Sequence, residues 1–494
     1  MTETTLTPLT PGAPQGPAPA PEAAPTTSSN RLMLASAPIW RALVHLCIPM
    51  IAAFSVGSIY NIINAGFIGS LHSTPMLAAL TFSLPVFSLI MAIGGVFGVG
   101  GGTYISRLLG SQEAEGADGE AAGLRIKQVS SFVLWGALAG GVVIGVVGLV
   151  LASPISALVG ASGSALTPTA QYIGAMFAFA PVYVAVFALE QIVRAEGAAV
   201  ASMNGLILST IANLVFDVLF ILVLPWGVLG AGLALGLSNA VAVAYYAWWL
   251  TRRSTVVSLS PRHLRLDREM LRTVFGVGVS ELLQSSFLIV TSLLVNWIAI
   301  GYGEALLASM GVALRISQLP EMICMGVFMG AIPLFAYSYG AGNHARLRSA
   351  ITGSAVSILG ITLVFSGLVF LFRDQVFALF SADPAVLSDG TQMLTAMLVA
   401  TIFNGITGLV IAVFQATEQM RNATIMSVAQ GVLFIPVVLI ANAVFGMTGV
   451  IWSMTVTELL TFGLGMVLFA TSRRALDAEP SAEAVEAAEA ALAE

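Results

Sequence analysis

Of 494 residues, only 9% are charged and 57% are hydrophobic, and the mean hydropathy is +0.93. No soluble domain can hide that much apolar surface, so the composition excludes a water-soluble fold and demands a polytopic protein whose principal partner is the lipid bilayer, with no nucleic acid implied. The net charge of −6 comes largely from an acidic C-terminal tail; Cys47, Cys324 and four scattered histidines give no disulfide framework and no metal spacing.

In chain order, residues 1–37 open with a stretch dominated by Pro, Ala and Thr, which predicts a disordered cytoplasmic tail; the charged and apolar regions of a signal peptide are missing. Twelve apolar segments follow, each near or above the roughly 20 residues that a spanning helix needs. They cover 41–69, 75–106, 128–151, 168–190, 200–224, 229–251, 272–300, 305–339, 349–372, 388–415, 422–444 and 447–471. With the N-terminus inside, all Lys and Arg except Arg315 and Arg373 fall on the cytoplasmic side, which supports an inner-membrane, multi-pass topology with both termini cytoplasmic.

The spans divide evenly. Residues 38–251 form one predicted six-helix lobe, 252–271 a cytoplasmic linker, 272–474 a second lobe and 475–494 an acidic tail. A shift of 232 residues superposes Asn64 on Asn296, Gly94 on Gly326, Gly98 on Gly330 and Gly110 on Gly342. Each half has an even number of spans, so the repeats run parallel. The expected fold is an all-α integral membrane protein with twelve transmembrane helices in two pseudo-symmetric six-helix lobes around a central cavity.

Span five carries the least explicable residue, Asp217, within the apolar run Ile211 to Leu222. A charged side chain near the bilayer centre costs about 2.5–3.5 kcal/mol on insertion scales, so a carboxylate there is by default functional. Asn213 shares its helical face. Asn64 on span one lies at a similar depth, about 7–8 Å from the outer end at 1.5 Å per residue, and Asn61 shares its face. These four residues are the candidates for ion or proton coupling.

Prolines and glycines suggest spans that bend, with Pro49, Pro85, Pro181, Pro320, Pro333 and Pro436 inside them. The second lobe adds Glu281 and Gln284 on span seven, Arg315 and Glu321 on span eight, Asn404 on span ten and Glu458 on span twelve. Met322, Met325 and Met329 fall on one face of span eight, where adaptable thioethers suit varied apolar ligands. Tyr60, Phe82 and Tyr183 could offer aromatic faces to an organic cation. With Arg315 and Asn404 these make up the candidate substrate cavity, while ordinary packing would also explain the Met and aromatic positions.

Four motifs in this order resemble the multidrug and toxic compound extrusion (MATE) family: Ile105-Ser106-Arg107-Leu108-Leu109-Gly110, Arg194-Ala195-Glu196-Gly197, Asn213-Leu214-Val215-Phe216-Asp217 and Tyr337-Ser338-Tyr339-Gly340-Ala341-Gly342. The resemblance implies a monomeric, non-enzymatic exporter of amphipathic, often cationic organic compounds. Such exporters work by antiport against protons or sodium, with no cofactor and with lobes that alternate in access. It assigns Arg194 and Glu196 to a cytoplasmic loop, which with Pro49 forms the candidate gating set. Asn64 stands where the family usually has Asp, and Leu235, with Ser238 nearby, where it usually has Thr. One carboxylate can carry a proton but makes a poor sodium cage, since hard cations want several oxygen ligands. Proton coupling is therefore expected, with sodium coupling or a flippase of lipids or lipid-linked oligosaccharides as the alternatives.

Overall fold

The computed structural model describes residues 26–69, 73–115, 120–302, 304–378 and 384–477. They are almost wholly helical, with no strand among them. The helices are α1 (Thr26–Ala35), α2 (Ile39–Gly69), α3 (Thr74–Glu115), α4 (Glu120–Val150), α5 (Ala152–Leu158), α6 (Leu166–Ala178), α7 (Ala180–Ala195), α8 (Ala199–Asp217) and α9 (Gly227–Arg253). The second half holds α10 (Arg268–Ile300), α11 (Glu304–Gly340), α12 (His344–Leu371), α13 (Arg373–Ala378), α14 (Pro384–Ala416) and α15 (Met420–Asp477). Ten are long and apolar enough to cross a membrane; the bent pair α6–α7 makes an eleventh span. The twelfth appears when α15 is divided at Gly446, whose φ of 58° and ψ of −135° break the helix.

The predicted spans match these helices, with informative differences. Span four is two helices meeting at 51°. Pro181 sits in the first turn of α7, where its missing N–H costs nothing, and so the break falls at Phe179. The other five prolines lie inside α2, α3, α11 and α15. At the end of the bundle that carries most Arg residues, α3, α4 and α10 run past the predicted limits, because a helix continues into water once charged residues replace apolar ones. The linker is accordingly shorter, from Ser254 to Asp267. Arg125 Nη2 donates to Asp267 Oδ2 at 2.5 Å, and this bond holds the Asp267 carboxyl below the usual carboxylate range.

The stretch read as an unstructured N-terminal tail contains α1. Arg346, in the first turn of α12, clasps its C-terminal end and the residues that follow: Nη2 donates to Met33 O at 2.9 Å, Nε to Leu34 O at 2.7 Å and Nη1 to Ala37 O, beyond the helix, at 2.7 Å. On its other side α1 meets the loop between α7 and α8, where a Cβ on Gly197 would touch Asn30 O and the Leu34 side chain at 3.1 Å. The helix therefore bridges the two lobes at the basic end. Residues 1–25 and 478–494, parts of both expected tails, lie outside the described residues.

Across the lobe boundary α2 packs on α11, and α3 packs on both α10 and α11, with glycines at the crossings. A Cβ on Gly100 would collide with the Val274 carbonyl, and one on Gly278 with the Val96 carbonyl. Gly330 sits against Cys47 and Gly326 against Ile51 in the same manner. The innermost crossing is reciprocal: Gly110 abuts the Tyr337 carbonyl, and Gly340 abuts the Arg107 carbonyl. These pairings relate α3 to α11 by a shift of 230 residues, which exchanges Gly110 with Gly340. The shift of 232 found by identity matching is thus corrected by two residues, since close approach and not residue identity defines the symmetry. An ion pair, Arg107 Nη2 to Glu418 Oε1 at 3.7 Å, and a hydrogen bond from the Tyr337 hydroxyl to Glu113 close the same end.

Candidate functional site

In the N-terminal lobe Asp217 ends the regular part of α8, and a six-residue π-helical turn, Val218–Val223, follows at once. A π turn widens the backbone and is a frequent companion of functional positions. Asp217 is 1% exposed and Asn213 3%. The Tyr60 hydroxyl of α2 donates to Asp217 Oδ2 at 2.5 Å, a charge-assisted bond of the strong kind. Tyr172 of α6 lies within electrostatic range of the same carboxylate. The Asn213 amide nitrogen is buried and has no partner among the described residues.

Tyr60 is thus the hydrogen-bond partner of Asp217, a role that its aromatic face did not announce. Tyr183, placed beside it in the expected cavity, is fully buried in the lobe core with its ring edge-on to Phe87 at 5.5 Å. Phe82 is half-buried against Gly160. Ser238, the polar residue nearest Leu235, bonds its hydroxyl back to the Leu235 carbonyl at 2.8 Å. Asn61 and Asn64 fall on the outer part of α2, and their side chains lie outside the described residues.

A cavity of about 350 Å³ opens in the C-terminal lobe between α10, α11, α14 and α15. The expected Met322, Met325, Met329 and Asn404 all line it, together with Glu281, Glu321 and Glu458. Its floor reaches the lobe boundary, where Met329 and Ile332 pack with Phe54 of α2. Arg315 is exposed and is not part of the lining. Tyr60, Phe82 and Tyr183 do not line it either. Residue spacing alone could not separate the two lobes' contributions, whereas the structure puts the acid–tyrosine cluster in one and the soft cavity in the other.

At the basic end, Arg194 is buried and pairs with Glu190 at 3.5 Å. Glu190 in turn accepts from the Ser202 hydroxyl at 3.2 Å. Glu196, beyond the end of α7, is fully buried and accepts from the Ser254 hydroxyl. Burial pushes its carboxyl up to about 7, against the opposing pull of that hydrogen bond and of the Arg31 charge. Pro49 is buried in α2 between the two positions, Cys47 and Ile51, that receive the α11 glycines.

Two six-helix lobes, a reciprocal closure at one end and buried polar clusters at membrane depth define a multi-pass membrane transporter. The pattern that defines the MatE family matches residues 49–219 and 277–440, and the chain belongs to that family. It is 36% identical over 444 residues to the multidrug export protein MepA of Staphylococcus aureus (strain NCTC 8325 / PS 47), covering 90% of this chain and 96% of that protein. To MepA of Staphylococcus saprophyticus it is 36% identical over 420 residues, 85% and 91% of the two chains. A crystal structure of MATE in the straight conformation superposes with a TM-score of 0.82 at 26% identity, covering 90% of this chain and 98% of that one. A transporter of the MOP superfamily from Pyrococcus furiosus Vc1, described as having a binding pocket of reverse polarity, gives 0.82 at 25% identity, covering 91% and 98%.

Proposed function

We propose that this chain is a multidrug exporter that moves amphipathic, often cationic organic compounds out of the cell by proton antiport with alternating access, Asp217 being the group that takes the proton. The observation that carries it is a carboxylate, 1% exposed, that among the described residues accepts a tyrosine hydroxyl and is joined to no cationic side chain. Burying that charge is costly, and a proton removes the cost. Protonation therefore acts on the packing of α2, α6 and α8, the helices that supply Tyr60, Tyr172 and Asp217. The MepA relatives are named as multidrug export proteins, which supports the substrate class. The basic end faces the cytoplasm by the positive-inside rule, so the glycine crossings seal the inner side.

Sodium coupling would need a fuller oxygen shell than the Asp217 carboxylate, the Tyr60 phenol and the Asn213 amide supply among the described residues. A flippase for anionic lipid headgroups would want a cationic cavity, whereas the cavity here is lined by three glutamates and, among the described residues, by no Lys, Arg or His. The test is purified protein in liposomes with an imposed proton or sodium gradient, following efflux of ethidium. Asp217→Asn is expected to abolish proton-driven efflux. Efflux that survives the substitution, or that follows sodium alone, overturns the assignment.

A further inference from the structure

Given that export activity, we propose that cargo and proton bind in different lobes: the C-terminal cavity holds the positive charge of an organic cation at Glu458, opposite Glu321, while Asp217 never touches the cargo. Glu458 is a prepared carboxylate. Its Oε1 accepts from Asn404 Nδ2 at 3.2 Å and from Gln430 Nε2 at 3.0 Å. Gln284 Nε2 donates to Gln430 Oε1 at 3.3 Å, fixing which way that amide points. The other oxygen, Oε2, is buried and has no partner among the described residues. Ser427, fully buried on the same wall, has an unpartnered hydroxyl.

The charges are unbalanced. Glu281, deeper towards the lobe boundary, is met by the Gln415 amide at 3.5 Å and by the Arg194 charge. Glu321 and Glu458 repel one another, and no cationic side chain stands between them in the lining. Two partly desolvated carboxylates without a counter-ion ask for an external cation. The rest of the wall suits a flat organic one: Phe287, Phe328 and Phe434 line it, and so do four methionines, which adapt to shape. Glu458 lies fourteen residues before Ser472, where the apolar span ends, roughly 20 Å from that end at 1.5 Å per residue, and so near the membrane midplane. Asp217 has no such room, being enclosed with Tyr60 in the other lobe.

The experiment is ethidium binding to the purified full-length protein in detergent, read by fluorescence anisotropy, beside proton-driven efflux in liposomes. Glu458→Gln is expected to weaken binding about tenfold or more, the loss of one desolvated charge pair, and Glu321→Gln severalfold. Asp217→Asn should bind within about twofold of wild type while losing efflux. If Glu458→Gln does not fold, Glu321→Gln, which breaks no hydrogen bond among the described residues, carries the test alone. Wild-type binding in every folded glutamate variant, or loss of binding in Asp217→Asn, overturns the division of labour. Retained proton-driven efflux in Asp217→Asn overturns the coupling role instead, and leaves the binding result standing.

Discussion

The reciprocal crossing of α3 and α11 makes a quantitative demand on the transport cycle. Gly110→Ala puts a methyl group where the Tyr337 carbonyl and the Ala341 amide nitrogen lie, and Gly340→Ala puts one onto the Arg107 backbone. Backbone atoms on a packed helix cannot swing aside as a flexible side chain would, and overpacking of this kind costs typically about 1–3 kcal/mol. The contact exists only while the basic ends of the lobes are together, so the whole cost falls on that state. The equilibrium between lobe arrangements should therefore shift roughly 5- to 150-fold towards separation at that end. Spin labels on Ala114→Cys and Ala345→Cys, one exposed site in each lobe, would report it by pulsed EPR distances; the native Cys47 and Cys324 are buried. Because the two glycines exchange under the pseudo-twofold, both substitutions should lengthen the distances alike. Gly360→Ala, which meets open space, should leave them unchanged. Unaltered distances in folded Gly110→Ala and Gly340→Ala, or a change in only one of them, refute the symmetric closure.

Arg346→Ala removes hydrogen bonds to two α1 carbonyls, Met33 and Leu34, and to Ala37 just beyond the helix, and should free α1 from the second lobe, raising amide exchange and protease cleavage near Met33 by at least tenfold; an unchanged exchange rate counts against the bridge. Glu196 gives a pH dependence that can be signed. Its carboxyl is pushed up to about 7 by burial, so the folded protein holds that proton more tightly than the unfolded chain. The resulting stability is complete below the ordinary glutamate value and is lost as pH rises through about 7, at up to about 1.4 kcal/mol per pH unit in that window. Glu196→Gln should flatten the fall in melting temperature between pH 5 and pH 8, and an identical slope in wild type and variant would dismiss Glu196 as its source.

Hydropathy carried most of the architecture, because a bilayer forces every spanning backbone into helices of about twenty apolar residues. What it could not carry was facing. A helix that is apolar all round has no distinct polar side to betray its neighbours, so Tyr60 read as a cavity wall, and its bond to Asp217 was not legible. Tyr172, one turn into an unremarkable apolar segment, gave no signal at all. Glu458 and Asn404 were visible as polar anomalies, yet only their contact across α14 and α15 makes a site of them. Arg315 was an anomaly of the same grade, and it lies outside the cavity. The helix α1 was hidden by the Pro-rich composition that precedes it. Repeat detection by identity settled two residues from the register that backbone contact imposes, since glycines recur wherever helices touch and Gly342, with φ of +65°, ends a helix instead of packing one.

The uncompensated pair Glu321 and Glu458 has an electrical corollary. A charge carried across a membrane at 100 mV does about 2.3 kcal/mol of work, and a lobe that rocks around a midplane site moves its charge through part of that field. A cavity filled by a cation offsets the carboxylate that holds it. An empty cavity whose carboxylates are ionised carries that negative charge uncompensated and is driven by the membrane potential as it resets. The cavity's own share of the voltage dependence is therefore larger without cargo than with it, and in Asp217→Asn, where the other buried acid no longer changes charge, it would show as transient currents that shrink when cargo is added.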